Sequence, residues 1–118
     1  MEKLFDSELK VMEVLWREGS MTAGNIAAIL AEEIGWNRNT TYTVIKKCVE
    51  KGVIKRTDPK FMCHALVTKE DVQKRETKEL IDKMFDGSKQ QFFTALVVNK
   101  YFSEEDIKQL KDLIYDME

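Results

Sequence analysis

The side chains able to do covalent or metal chemistry are few. His64 is the only histidine, and Cys48 and Cys63 are the only cysteines. A histidine next to a cysteine could begin a metal site, but a stable site takes three or four ligands and no second histidine exists. His64 is therefore read as a strand-face residue. Cys48 is read as a small core side chain, and Cys63 lacks a resolving thiol at short spacing. Glu104, Glu105 and Asp106 stand where first-turn carboxylates favour a helix dipole, not where an acid/base pair would work. No glycine-rich phosphate loop, nucleophile–base pattern or metal-ligand spacing occurs. No catalytic residue, metal or cofactor is expected, and an enzyme is not.

What remains is a concentration of cations. The chain has 118 residues and a formal charge of −2. Residues 1–36 carry three cations against seven anions, and residues 69–118 nine against twelve. Residues 37–68 carry seven (Arg38, Lys46, Lys47, Lys51, Lys55, Arg56 and Lys60) against two, a local +5. Such a segment is an electrostatic footprint for a polyanion that the total charge conceals. Solvated charge clustered by chance would look the same, so the elements that hold these cations must decide.

Around the footprint the spacing predicts three short helices and a hairpin. The first helix starts near Asp6 or Ser7, buries Leu9, Met12, Leu15 and Trp16, and ends at Gly19. The second starts at Thr22, turns Ile26, Ile29, Leu30 and Ile34 inward, and closes at Gly35. Trp36 and Asn37 make a turn, and the third runs from Arg38 or Asn39 to Lys51. Val53 to Thr57 and Phe61 to Val67 read as strands about the turn Asp58-Pro59-Lys60.

On a helical wheel Asn39, Thr40, Thr43, Lys46, Lys47 and Glu50 share one face of the third helix. Thr41, Val44, Ile45 and Cys48 share the other, with Tyr42 and Val49 at the borders. One side can bind to a core while the other enters a major groove. There Asn and Thr can bond base edges, Arg38 stands at the helix start where bases are approached, and Lys46 and Lys47 can reach phosphates or, if the docking allows, a guanine edge. Lys55, Arg56 and Lys60 place cations on the hairpin and its tip for backbone contacts. An amphipathic helix alone would say little; three helices, a charge switch, a glycine stop and a charged hairpin in this order say more. They read as a winged helix-turn-helix over residues 1–68.

Residues 69–118 read as purely helical: mainly α overall, with one small hairpin. Thr68 and Asp71 form a capping pair, and Asp86-Gly87-Ser88 breaks the chain. Ser103 with Asp106 starts the last helix, where Ile107, Leu110, Ile114 and Met117 alternate by three and four. A lobe of about fifty residues rarely buries enough surface to stand alone. Its stripes are expected to pair with a second subunit; packing on its own chain is the other option. The pairing candidates are Leu80, Met84, Phe92, Phe93, Leu96, Ile107, Leu110, Ile114 and Met117. No apolar run could span a bilayer, the stretch MEKLFDSELK lacks a signal-peptide core, so export is not expected, and two cysteines fit a reducing cytoplasm.

The stretches LKVMEVLW, NTTYTVIKKCVEKGVIKR and ALVTKEDV, with the run from Phe85 to Ser88 and the Ser103 helix, resemble the penicillinase-repressor family, the BlaI/MecI-type regulators. The resemblance covers essentially the whole chain. It implies a winged-helix DNA-binding domain, a helical dimerisation domain, and repression by a homodimer on an inverted-repeat, double-stranded operator. Some members are released by proteolysis downstream of a membrane sensor, after an Asn that follows a Leu/Val-rich stretch. Leu96-Val97-Val98-Asn99 resembles that site, with Lys100 where those members carry a bulky apolar residue. Copper-responsive members end in a cysteine-rich motif that has no counterpart after Cys63. A winged helix used for protein contacts, or one sensing a small ligand, is the alternative.

Overall fold

The structure is a computed structural model that describes residues 2–118. The chain divides into two compact units, one up to Gln73 and the other from Lys74 to Glu118.

The first unit begins with α1 (Asp6–Glu18), β1 (Met21–Thr22), α2 (Ala23–Ile34) and α3 (Arg38–Glu50), followed by β2 (Ile54–Thr57) and β3 (Met62–Ala65). The strands form an antiparallel sheet in the order β1-β3-β2. The hairpin register places Arg56 opposite Cys63 and Lys55 opposite His64. The helix α4 (Lys69–Phe85) starts in this unit and lays Val72 on its core. That core gathers Val11, Met12 and Leu15 from α1, Ile26 and Leu30 from α2, Ile45 and Cys48 from α3, and Ile54 and Cys63 from the hairpin.

Local chemistry explains the boundaries. Thr22 accepts from Asn25 N at 3.2 Å and Asn37 from Thr40 N at 2.8 Å, so each starts its helix with a side-chain cap. Gly35 (φ 72°) and Gly52 (φ 77°) take left-handed backbone beyond α2 and α3, which costs glycine nothing. Thr68 and Asp71 form the expected reciprocal pair at the start of α4, at 3.0 and 3.3 Å.

Three local expectations need correction, and one element was not foreseen. Neither Asp6 nor Ser7 caps α1; Phe5 stands at that position, and its N–H donates to Glu8 Oε1 at 2.7 Å. The buried stripe of α1 is Glu8, Val11, Met12, Val14 and Leu15, whereas Leu9 and Trp16 are half-buried at its edge. Ile34 is exposed, because the last turn of α2 runs past the core. The strand β1 was not expected; Met21 and Thr22 pair with Cys63 and Met62 and add a third strand to the hairpin.

The second unit contains the rest of α4, α5 (Lys89–Val98) and α6 (Glu104–Asp116). Ser88 caps α5, and Ser103 with Asp106 caps α6 reciprocally. The backbone and side chain of Ser103 hold the Asp106 carboxyl below its ordinary pKa. Aromatic contacts join its elements, Phe85 with Phe92 at 5.3 Å and Phe93 with Phe102 at 5.9 Å between ring centroids. Yet among the described residues from Lys74 onward no side chain is buried.

Candidate nucleic-acid interface

The two faces of α3 separate as its sequence requires. Thr41, Val44, Ile45 and Cys48 are buried, while Asn39, Thr40, Thr43, Lys46, Lys47 and Glu50 are exposed, with Tyr42 and Val49 between. The cap on Asn37 fixes where the helix starts, and the buried residues fix which side faces out. Thr43 donates its hydroxyl to Asn39 O at 2.9 Å, leaving its lone pairs and methyl group for other contacts.

The cations of the basic segment fall into two groups. Arg38, Lys46, Lys47, Lys55 and Lys60 are exposed and form no ion pair among the described residues. Arg56 is exposed beside Asp58, with Nε 3.1 Å from Oδ1, and its guanidinium lies 3.6 Å from the centre of the Phe61 ring. Lys51 is different: its Nζ donates to Glu8 Oε1 at 2.6 Å and to Lys3 O at 2.7 Å. Lys51 thus serves the fold, and the surface footprint is one charge smaller than the sequence count.

Four further residues contact these side chains or face them without having been singled out for it. Tyr42 accepts from Arg38 Nη2 at 2.9 Å. Gly24, on the first turn of α2, faces that pair: a Cβ there would stand 3.5 Å from Tyr42 Oη and 3.7 Å from Arg38 Nη2. Ser20 meets His64 Nδ1 at 2.9 Å, while Thr57 meets His64 Nε2 at 3.0 Å. His64 is therefore a polar tie between the two strands of the hairpin and the turn before β1. The Arg38–Tyr42 pair follows i,i+4 spacing on one helix, whereas no local signal announces the His64–Ser20 contact, which joins residues 44 positions apart.

The remaining predicted residues lie in the second unit. Leu80, Met84, Phe93, Ile114 and Met117 are exposed, whereas Phe92, Leu96, Ile107 and Leu110 are half-buried. Val97, Val98, Tyr101, Leu113 and Tyr115 are also exposed and were not among the expected pairing residues. Asn99 ends α5, and Lys100 follows with φ 55°; both are exposed. Among the described residues no helix is long and apolar enough to cross a membrane.

A buried-backed helix following a helix-turn, beside a three-stranded sheet with a charged hairpin, defines a winged helix-turn-helix. The chain belongs to the penicillinase repressor family, whose profile matches residues 4–116. It is similar to the methicillin resistance regulatory protein MecI of Staphylococcus aureus and of Mammaliicoccus sciuri, each 25% identical over 118 residues, with 95% of this chain and 93% of the relative covered. It also resembles the penicillinase repressor of Bacillus licheniformis, 19% identical over 114 residues, covering 95% and 89%. Among solved structures, the DNA binding domain of the repressor BlaI shares its fold with a TM-score of 0.54 at 24% identity, over 60% of this chain and 93% of that one.

Proposed function

We propose that this protein is a sequence-specific DNA-binding transcriptional repressor that occupies an inverted-repeat operator as a homodimer. One observation carries the reading: five exposed cations without ion-pair partners among the described residues line α3 and the hairpin of a chain whose net charge is −2. In water such cations gain little from the fold. Against a duplex they displace condensed counterions, which is the main source of non-specific affinity. Asn39, Thr40 and Thr43 face the base edges from α3, Lys46 and Lys47 meet phosphates, and Lys55, Arg56 and Lys60 grip the adjacent backbone. The names of the family relatives, repressors and regulatory proteins, support the same reading.

Release from the operator by proteolysis at Asn99–Lys100 is the finer proposal. Both residues are exposed at the end of α5, where a protease could engage them. Cleavage there would separate α6 from the rest of the chain. Full-length protein persisting in cells whose target genes have switched on would exclude it.

The test is selection of bound duplexes from a randomised pool, followed by a mobility-shift titration against KCl. Tight, salt-sensitive binding to a two-fold symmetric sequence is expected, and Lys47→Ala should reduce the slope of log K against log [salt] by about 0.9. No enrichment of any duplex, together with capture of an acidic protein partner, would replace this reading by a protein-contact role.

A further inference from the structure

The start of α3 and the turn of the hairpin are joined by a row of four side chains. The Arg38 guanidinium carbon lies 4.8 Å from the Tyr42 ring centre, and its Nη2 donates to Tyr42 Oη at 2.9 Å. The Tyr42 ring meets Phe61 edge-on, with centroids 5.8 Å apart and planes at 87°. The other end of the row is Arg56, 3.6 Å from the Phe61 ring centre. Both rings are half-buried and both arginines exposed. Phe61 is itself fixed: its carbonyl accepts from Ala23 N at 2.9 Å, and its backbone sits at φ 52°.

We propose that Tyr42 and Phe61 are positioning residues that hold Arg38 and Arg56 as one preset pair of contacts to the phosphodiester backbone of a duplex. The proposal rests on the DNA-binding reading above. A free arginine side chain has many rotamers to lose when it binds, and stacking on a ring removes much of that loss in advance. A guanidinium lying on a ring also keeps its N–H edge available for bidentate contact with phosphate. Arg38 folds back onto Tyr42, so that a Cβ added at Gly24 on α2 would stand within 4 Å of its guanidinium, rather than extending from the helix start. That posture suits a backbone contact better than a base edge. Arg56 gives its Nε to Asp58, and among the described residues its Nη groups have no hydrogen-bond partner. The row also makes the recognition helix and the wing act together. Disturbing the ring pair should loosen both cations at once.

The experiment measures affinity against KCl by fluorescence anisotropy, on a duplex selected from a randomised pool, with thermal unfolding to compare the fold of each variant. Phe61→Leu removes the shared ring and should lower the salt slope by about one to two units, as losing one or both phosphate contacts would. Phe61→Tyr keeps the ring and should bind as the parent does. In an Arg38→Ala, Arg56→Ala background, Phe61→Leu should have no further effect. Should Phe61→Leu fail to fold, Arg56→Lys decides, since it is an exposed change that keeps charge and loses the planar stack. It is expected to weaken binding while keeping the parent's salt slope, because the charge stays and the planar stack is lost. Equal losses from Phe61→Leu with and without the two arginines, or parent-like binding by Arg56→Lys, would overturn the proposal while leaving the DNA-binding reading intact. A parent protein that enriches no duplex would overturn both.

Discussion

Thr43 donates its hydroxyl to Asn39 O, so to a duplex it offers only acceptor lone pairs and a methyl group. Those suit an amino group on a base edge and the thymine methyl, respectively. Thr43→Ala should therefore relax preference at one base pair, worth about 1–3 kcal/mol of discrimination, without changing affinity for random duplex. Competition titrations with single-base variants of the selected site would read this out, and equal losses on every sequence would contradict it. The two thiols make a separate case. Burial is the main cause that pushes Cys48 from 9.0 up to about 12, with nearby Glu8 adding to it. Burial likewise pushes Cys63 up to about 11, with Arg56 opposing the rise. In both, folding favours the protonated thiol, so above pH 9 the unfolded chain binds fewer protons than the folded one. Their contribution to stability is complete below about pH 9 and declines as pH rises toward 11–12, by about 1.4 kcal/mol per pH unit for each thiol titrating in this way. Urea unfolding across pH 8–10.5 should show the decline beginning above 9, and replacing both residues by Ala should flatten it. At neutral pH neither thiol of the folded protein should react appreciably with iodoacetamide.

The helix α1 carries its most unusual side chain on the inside. Glu8 is fully buried; one oxygen accepts from Lys51 and from the Phe5 N–H, while Oε2 has no hydrogen-bond partner among the described residues. Lys51 closes the arrangement, donating to Lys3 O and placing its ammonium 4.3 Å from the Phe5 ring centre. The pair thereby ties residues 3–5 and α1 to the end of α3. Removing one partner of such a pair leaves an uncompensated buried charge, so Lys51→Ala should destabilise the first unit by about 3–5 kcal/mol. Replacing both partners, Glu8→Met with Lys51→Met, should recover most of that in chemical unfolding. A single variant as stable as the parent would show that the pair contributes nothing. This element also shows where reading the sequence succeeds and fails. The split of α3 into two faces was legible because 3.6-residue periodicity acts within one helix, and every residue assigned to either face lies where the wheel put it. The Ser103–Asp106 cap and the start of α2 at Thr22 were legible for the same local reason, whereas Asn37, read as a turn residue, is the cap of α3. Glu8 was not, because a carboxylate within an apolar stripe is explained only by a lysine 43 residues away. Nor was β1: two residues have no period, and only pairing with β3 makes them a strand.

At the scale of the whole molecule the two units differ in how they bury apolar surface. Among the described residues the first has a core of fifteen buried side chains, whereas from Lys74 onward none is buried. The same 45-residue unit exposes Leu80, Met84, Phe93, Val97, Val98, Tyr101, Leu113, Ile114, Tyr115 and Met117. An exposed apolar set on so small a unit marks an interaction surface. On the function proposed above, a second copy of the chain is the partner, since symmetric dimers match inverted half-sites. Sequence periodicity pointed to Ile107, Leu110, Ile114 and Met117, but Ile107 and Leu110 are half-covered within their own chain. The exposed side of α6 includes Leu113 and Tyr115 instead, because which stripe the neighbouring helices cover is decided by tertiary packing and not by period. Phe93→Asp combined with Leu113→Asp puts charge on this surface while leaving the first unit untouched. The variant should sediment as a monomer at concentrations where the parent is a dimer. Linking two half-site contacts raises overall affinity by about 10² to 10⁴, and the variant should lose a comparable factor on the selected two-fold site. Its affinity for an isolated half-site should be unchanged, because α3 and the hairpin are intact. A double variant that still sediments as a dimer would move the pairing surface elsewhere, and a parent that is monomeric and binds both sites equally would remove the two-fold design altogether.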